Sequence, residues 1–355
     1  MQMHEQYMLR CLQLAEYGSG NVAPNPMVGA VLVHNNKIIG EGYHKKYGEA
    51  HAEVNCIKNV SEENKHLICK STLYVSLEPC NHFGKTPPCS DLIIKKNIAN
   101  VVIGCKDIYK ETAGKGIEKL KSAGIAVATG ILEKECIEIN KRFNIFHIKK
   151  RPYIILKWAE SADGKIAASP KSSPKERTLI SNSYSNTLVH KWRSEEAAIL
   201  IGTNTALQDD PLLTTRLWKG KNPVRIVIDM NLRLPNTLKI FNDEAKTIIF
   251  NSIKDEEQKN FLFYKINAPD ILNIITKSLY KLNIQSVIVE GGAKLLQSFI
   301  DAGLWDEVRI ITNEKLIVNN GVAAPNFFSD KLTRKEKYFS DTISYYSKSS
   351  NIVDE

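Results

Sequence analysis

Apolar and polar positions along the chain change period repeatedly, and each change marks an element. Between Glu5 and Tyr17 the apolar residues Met8, Leu9, Leu12 and Ala15 fall on one helical stripe. Two short runs, 28–34 and 37–42, flank Asn35-Asn36, which predicts a hairpin. A helix start is predicted over 51–60 and a buried strand over 73–77, followed by a helix over 89–96 and a strand over 101–104. A helix over 116–123, a strand over 125–128 and a helix over 132–146 complete the first half. Such alternation of strand and helix predicts a three-layer α/β/α domain.

Lys149-Lys150-Arg151-Pro152 breaks the last of these helices and opens a strand over 153–158. The domain boundary is placed there, giving a first domain of residues 1–147 and a second of 148–355. The second half predicts further strands over 198–201, 224–229, 247–250, 286–289 and 307–312, with helices between them, notably 183–192 and 292–302. A single last strand is predicted over 337–346, before a disordered end. This half is also α/β, but no Gly-x-Gly-x-x-Gly follows an early strand, so the doubly wound dinucleotide fingerprint is missing.

Two domains also suit a chain of 355 residues. An apolar content of 43% and a charged content of 25% belong to an ordinary globular protein. No apolar run approaches the roughly 18 residues of a membrane span, and the first residues lack a basic and apolar export signal. Seven cysteines, an odd and scattered set, make no disulfide framework and fit a reducing cytoplasm. The formal charge of +9 is dispersed rather than gathered in a run, so it argues for small anionic ligands and not for nucleic acid. Solvated lysines account for it equally well.

The chemistry concentrates in His51-Ala52-Glu53, Pro79-Cys80 and Cys89. One imidazole and two thiolates leave the fourth position of a tetrahedral Zn²⁺ open for water, as a catalytic site requires. Glu53 stands where a proton shuttle is needed, between an attacking water and a departing amine. Either half of the pattern alone is weak, since His-Ala-Glu recurs by chance and structural zinc cysteines are spaced more closely. A strand end delivering Cys80 and a helix start delivering His51 make the conjunction strong.

The stretch Val75-Ser-Leu-Glu-Pro-Cys-Asn-His-Phe-Gly-Lys-Thr-Pro-Pro-Cys89 closely resembles the bifunctional deaminase–reductase family of riboflavin biosynthesis. Ala23-Pro-Asn-Pro-Met-Val-Gly-Ala-Val31 and the run from His44 to Glu53 match it too. In the second half, Lys157-Trp-Ala-Glu-Ser-Ala-Asp-Gly-Lys165, His190-Lys-Trp-Arg193, Ile201 to Pro211, Thr214-Thr-Arg216 and Glu290-Gly-Gly-Ala-Lys-Leu-Leu296 are similar to the family's reductase half, a relative of dihydrofolate reductase. The resemblance implies a cytidine-deaminase-like zinc domain followed by a dihydrofolate-reductase-like domain. It implies Zn²⁺ and NADPH as cofactors, a phosphorylated diaminopyrimidine as substrate, a cytoplasmic enzyme and a homo-oligomer. A transfer-RNA deaminase shares His-Ala-Glu and Pro-Cys but has closer cysteines and no second α/β domain. A binding protein with one decayed half is the other rival.

By the same resemblance, Asn25, His82, Lys85 and Thr86 contact the deaminase substrate. Arg193, Leu213, Arg216 and Glu290 contact the reductase substrate, and Lys157 is a proton donor or orienter there. Glu160, Leu179, Thr205, Asp209 and the run Gly291, Gly292, Ala293 and Lys294 contact the dinucleotide. The residue types agree with these roles. Lysine is a point charge for phosphate, arginine a bidentate fork, and a glycine-led helix start an anion cradle. Plainer readings stand beside them: a turn asparagine, a solvated loop lysine, surface arginines and a strand-to-helix turn without a ligand. The chain departs from the family at Glu160, where a small residue is common, at Ala162, where leucine is usual, and at Leu179, where tryptophan is common.

Overall fold

A computed structural model describes residues 3–84, 86–109, 113–168, 179–267, 269–329 and 331–348. The chain divides into two compact units, Met1–Lys150 and Arg151–Glu355. The division falls after Lys150 rather than after His147, because the last helix of the first unit continues to Lys149. It ends only where Lys150 turns left-handed, at φ 53°.

The first unit runs α1 (Met3–Glu16), β1 (Gly29–His34), β2 (Lys37–Tyr43), α2 (Ala52–Lys58), β3 (Thr72–Leu77), α3 (Cys89–Lys95), β4 (Asn100–Cys105), α4 (Lys115–Ser122), β5 (Ala126–Thr129), α5 (Glu133–Ile139) and α6 (Lys141–Lys149). Its sheet has the order β2-β1-β3-β4-β5, with β1 antiparallel to its neighbours and β3, β4 and β5 parallel. Asn35 and Asn36 are both left-handed, as the hairpin turn requires. Alternation along the strands splits the core in two. Leu32, Leu73, Val75 and Ile103 meet Ala52, Ile93 and Leu120 on one face. Val31, Val33, Tyr74 and Val102 meet Met8, Leu12 and Cys136 on the other.

Two glycines set α2 close against β2. A Cβ on Gly40 would stand 2.6 Å from the Cys56 carbonyl oxygen, and one on Gly42 2.2 Å from the Cys56 nitrogen. The single helix expected over 132–146 is two helices broken at Asn140. That side chain accepts from the Met27 N–H at 2.8 Å and donates to the Met27 carbonyl at 2.9 Å.

The second unit comprises β6 (Tyr153–Ser161), β7 (Lys165–Ala168), α7 (Ser183–Glu195), β8 (Ala198–Gly202), α8 (Thr203–Asp209), β9 (Val224–Ile228), β10 (Thr247–Asn251), β11 (Glu256–Glu257), β12 (Phe261–Lys265), α9 (Ile271–Lys281), β13 (Ser286–Val289), α10 (Ala293–Asp301), β14 (Glu307–Asn313), β15 (Gly321–Ala323), β16 (Leu332–Tyr338) and β17 (Asp341–Ser347). Ten of its strands form one sheet in the order β11-β12-β10-β9-β8-β13-β6-β14-β17-β16. From β12 to β14 the strands are parallel. Leu156, Leu200, Phe250, Val289 and Val308 pack on one face with Leu296, Phe299 and Leu279.

The chain moves outward from β8 to β12 and then returns to insert β13 between β8 and β6. That reversal opens a crevice at the carboxyl ends of the strands, where α/β sheets bind ligands. The single last strand expected over 337–346 is instead the hairpin of β16 and β17, turning at a left-handed Phe339. The edge strand β16 is mostly exposed and carries Arg334, Lys335 and Lys337, so it has no apolar signature to read.

Candidate functional site

In the first unit, α2 and β3 bring the expected metal ligands together. His51 is the N-cap residue of α2, with extended backbone, so its ring projects beyond the helix start. Cys80 follows the end of β3, and Cys89 opens α3. The His51 Nδ1 lies 3.6 Å from the Cys80 Sγ and 3.4 Å from the Cys89 Sγ, and all three ligand atoms lie within 4.8 Å of one another. Tetrahedral zinc with bonds of about 2.3 Å to sulfur and 2.0 Å to nitrogen would set such atoms about 3.6 Å apart. The donor set and its spacing therefore fit the metal.

The electrostatics separate the two thiols. A hydrogen bond from Cys89, with a further contribution from His51, overcomes burial and holds Cys80 down at about 4. The same hydrogen bond, together with burial, pushes Cys89 up. The backbone N–H of Cys89 also donates to the Cys80 sulfur at 3.3 Å. Glu53, in the first turn of α2, is only 3% exposed. Burial, then the neighbouring Cys80, pushes its carboxyl up to about 7, a value suited to taking and giving a proton near neutrality.

Asn25 donates from Nδ2 to the His44 Nε2 at 3.1 Å, while His44 Nδ1 faces the Ala50 carbonyl at 3.1 Å. A carbonyl can only accept, so Nδ1 carries the ring proton and Nε2 is the acceptor. His44 packs edge-on to His51, with ring centroids 5.2 Å apart. Asn25 thus joins the metal cluster through His44, a link that no spacing in the sequence announces. His82 is exposed and Thr86 half-buried in the segment between the cysteines, and Lys85 lies outside the described residues.

In the second unit the middle of β6, the carboxyl end of β13 and the helix α7 assemble a charged cluster. Glu290 receives Arg193 Nε at 3.0 Å and Arg193 Nη2 at 2.7 Å, and Lys157 Nζ lies 3.6 Å away. Burial alone would raise the Glu290 carboxyl, but Arg193 and then Lys157 hold it down at about 2. His190, part of a matched motif but given no role of its own in the sequence analysis, is 5% exposed. Burial, with Arg193 and Arg216 nearby, lowers it to about 4, so it is neutral at physiological pH. Arg216 is exposed, and Leu213 is buried with a left-handed backbone.

At the start of α10 the Gly292 N–H donates to the Thr205 Oγ1 at 2.9 Å, so α8 and α10 begin side by side. The first-turn amides of Ala293 and Lys294 have no partner among the described residues. A Cβ on Gly292 would come within 3.3 Å of Thr205 Oγ1. Two glycines and unpartnered amides in the crevice at the strand ends fit the diphosphate of a dinucleotide. The Glu160 carboxylate is held by Trp158 Nε1 at 2.8 Å and Thr312 Oγ1 at 3.2 Å, beside a cavity of about 750 Å³ lined also by Ile310, Phe327 and Tyr346. Asp209, Lys294 and Leu179 are exposed, Leu179 to 73%.

Comparison with known proteins agrees with this division. Residues 1–105 match the cytidine and deoxycytidylate deaminase zinc-binding region, and residues 152–335 match the RibD C-terminal domain. The riboflavin biosynthesis protein RibD of Aquifex aeolicus is 40% identical over 323 residues, covering 89% of this chain and 88% of its own. The RibD of Escherichia coli is 34% identical, covering 88% of each. A crystal structure from Thermotoga maritima, described as a diaminohydroxyphosphoribosylaminopyrimidine deaminase and 5-amino-6-(5-phosphoribosylamino)uracil reductase, superposes with a TM-score of 0.87 at 36% identity. It covers 97% of this chain and 98% of that one. With its zinc-ligand triad in one unit and its strand-end crevice in the other, the chain belongs to the RibD family of riboflavin-biosynthesis proteins.

Proposed function

We propose that this chain performs two consecutive steps of riboflavin biosynthesis, with the first unit, Met1–Lys150, as the deaminase and the second, Arg151–Glu355, as the reductase. The first step is the hydrolytic deamination of 2,5-diamino-6-(5-phosphoribosylamino)pyrimidin-4-one. The second reduces the ribosyl group to ribityl phosphate. The observation that carries the reading is the convergence of His51, Cys80 and Cys89 beside the buried Glu53.

Zinc, when bound, supplies the Lewis acidity that makes water a competent nucleophile near pH ~7. His51, Cys80 and Cys89 hold it. Glu53 takes the proton of the attacking water and delivers it to the departing amine, so that ammonia leaves. Asn25, oriented by His44, together with His82, Lys85 and Thr86, holds the base, ribose and phosphate.

NADPH, when bound, supplies the hydride that opens the ribosyl ring at C1′. Gly291, Gly292, Ala293 and Lys294, with Thr205, Asp209, Glu160 and Leu179, hold the dinucleotide. Glu290, Arg216 and Leu213 bind the substrate, and Lys157 orients or protonates it. Arg193, which the sequence suggests as a phosphate ligand, is engaged by Glu290. Its contribution is therefore to fix that carboxylate, and the phosphate falls chiefly to the exposed Arg216.

No helix among the described residues is long and apolar enough to cross a membrane. Thiolate ligands suit a reducing cytoplasm. The decisive assay supplies the diaminopyrimidine phosphate to purified protein and follows ammonia release and NADPH oxidation separately. Release of ammonia without zinc, or NADPH oxidation that does not depend on prior deamination, contradicts the reading.

A further inference from the structure

Glu78 stands at the end of β3, just before Pro79-Cys80, and its backbone N–H still reaches the Cys105 carbonyl of β4 at 3.0 Å. Its side chain does something the sequence does not announce. Buried at 6% exposure, the carboxylate accepts four backbone N–H groups. Oε2 takes Asp107 at 3.2 Å and Gly114 at 2.9 Å, and Oε1 takes Gly116 at 2.9 Å and Ile117 at 3.2 Å. Two carboxylate oxygens offer about four acceptor positions, so these bonds use all of them. Three of the four come from the first turn of α4 and the residue before it, where a negative charge is also favoured by the helix dipole.

The contact continues through the next residue. A Cβ on Gly116 would lie 2.1 Å from the Pro79 carbonyl oxygen, so the first turn of α4 rests directly on the Pro79–Cys80 peptide. On the far side, the Cys80 carbonyl accepts the Ser90 N–H at 3.1 Å, and its sulfur accepts the Cys89 N–H at 3.3 Å. The peptide that carries Cys80 is thus held between the starts of two helices, and Glu78 is the group that fastens one of them.

We propose that Glu78 is a positioning residue of the deaminase metal centre. Its carboxylate fixes the Pro79–Cys80 peptide against α4 and so sets where the Cys80 sulfur stands relative to His51 and Cys89. The inference rests on the zinc-deaminase reading above. A ligand site works only when its supporting groups hold it to about 0.5 Å, and loss of such a supporting contact costs about 10–100-fold in affinity or rate.

The test uses the full-length protein carrying Glu78→Gln, with Zn²⁺ and, as a spectroscopic probe, Co²⁺. Glutamine keeps the size but turns an NH₂ towards backbone N–H donors, so at least two of the four bonds are lost. Metal affinity should fall at least tenfold and the cobalt ligand-field bands should shift. The kcat for ammonia release should drop with KM nearly unchanged, while NADPH oxidation on the deaminated substrate stays at the parental rate. Parental metal affinity and a parental cobalt spectrum would overturn the proposal even if thermal stability fell, because Glu78 would then be a fold anchor alone. A parent protein that binds no metal would defeat the zinc reading instead.

Should Glu78→Gln fail to fold, amide exchange in the parent decides the matter, since coupling between two sites is reciprocal. Removing zinc should speed exchange across 114–117 while leaving β5 unchanged. Equal exchange with and without zinc across 114–117 would overturn the proposal.

Discussion

Arg193 meets Glu290 edge-on, Nε to one carboxylate oxygen at 3.0 Å and Nη2 to the other at 2.7 Å, with both side chains about nine-tenths buried. The pair turns an arginine that reads as a phosphate ligand into the partner that keeps a buried carboxylate ionised at the carboxyl end of β13. Removing Arg193 strips the buried Glu290 of both its charge-assisted hydrogen bonds and leaves it only the Lys157 ammonium at 3.6 Å, at a cost of up to about 3–5 kcal/mol. Arg193→Leu should therefore destabilise the second unit by that order and abolish NADPH oxidation, with ammonia release intact. Arg193→Lys should restore little, because an ammonium cannot reproduce the two-pronged contact. Thermal unfolding alongside the two separate assays checks this, and full reductase activity in Arg193→Lys would refute it.

The same pair gives the protein an acid limit. Glu290 is held near 2 in the folded chain, against an ordinary 4.5. A depressed carboxylate contributes stability that is complete above the unfolded value and is lost as pH falls through the folded one. The contribution, on the order of 3 kcal/mol, should be complete above pH ~4.5 and decline towards pH ~2. Denaturant midpoints measured from about pH 6 to about pH 3 should fall more steeply for the parent than for Glu290→Gln. Parallel curves would show that the pair does not supply this dependence.

Metal holding and proton transfer should separate by mutation. Glu53→Gln keeps the shape of the side chain but cannot shuttle a proton, so ammonia release should fall roughly 10²–10⁴-fold with zinc content near parental. Cys80→Ser should lose the metal itself, because a neutral hydroxyl replaces a thiolate. Elemental analysis with single-turnover ammonia measurements tests both. A Glu53→Gln protein that deaminates at the parental rate would assign the shuttle elsewhere.

At the dinucleotide crevice, Gly292→Val would place a branched side chain against Thr205 and over the first-turn amides of α10. Helix-start anion contacts contribute on the order of 1 kcal/mol each, so losing several should weaken NADPH binding by roughly tenfold or more. Deamination should be unaffected. Fluorescence titration with NADPH, with circular dichroism to verify folding, makes the comparison. Unchanged affinity in a folded variant would move the diphosphate away from α10.

Asn140 and Met27 supply a fifth test. Asn140→Asp keeps the acceptor for the Met27 N–H but sets a carboxylate oxygen against the Met27 carbonyl. Loss of one buried bond and the added repulsion should cost about 1–3 kcal/mol. Because the clamp holds the turn carrying Asn25, KM for deamination should rise as well. A stability loss with unchanged KM would confine the clamp to folding.

Much of this protein is written locally. The period of apolar residues determines most strands and helices, since each element buries one face whatever its partner. The chemistry of His51, Glu53, Cys80 and Cys89 is likewise fixed by residue type, because few side chains can bind zinc or shuttle protons. Where burial did not alternate, or a side chain served a distant backbone, the sequence was silent. The exposed edge strand β16 has no apolar face, and Asn140, at the junction of two helices, pairs with Met27, far away along the chain. Only the tertiary structure decided that Arg193 is engaged by Glu290, that His44 orients Asn25, and that Glu78 collects four N–H groups from Asp107 and the start of α4. In each case the partner is a backbone group, a ring nitrogen or a charge brought near by packing, and nothing in the residue's own type or spacing names it.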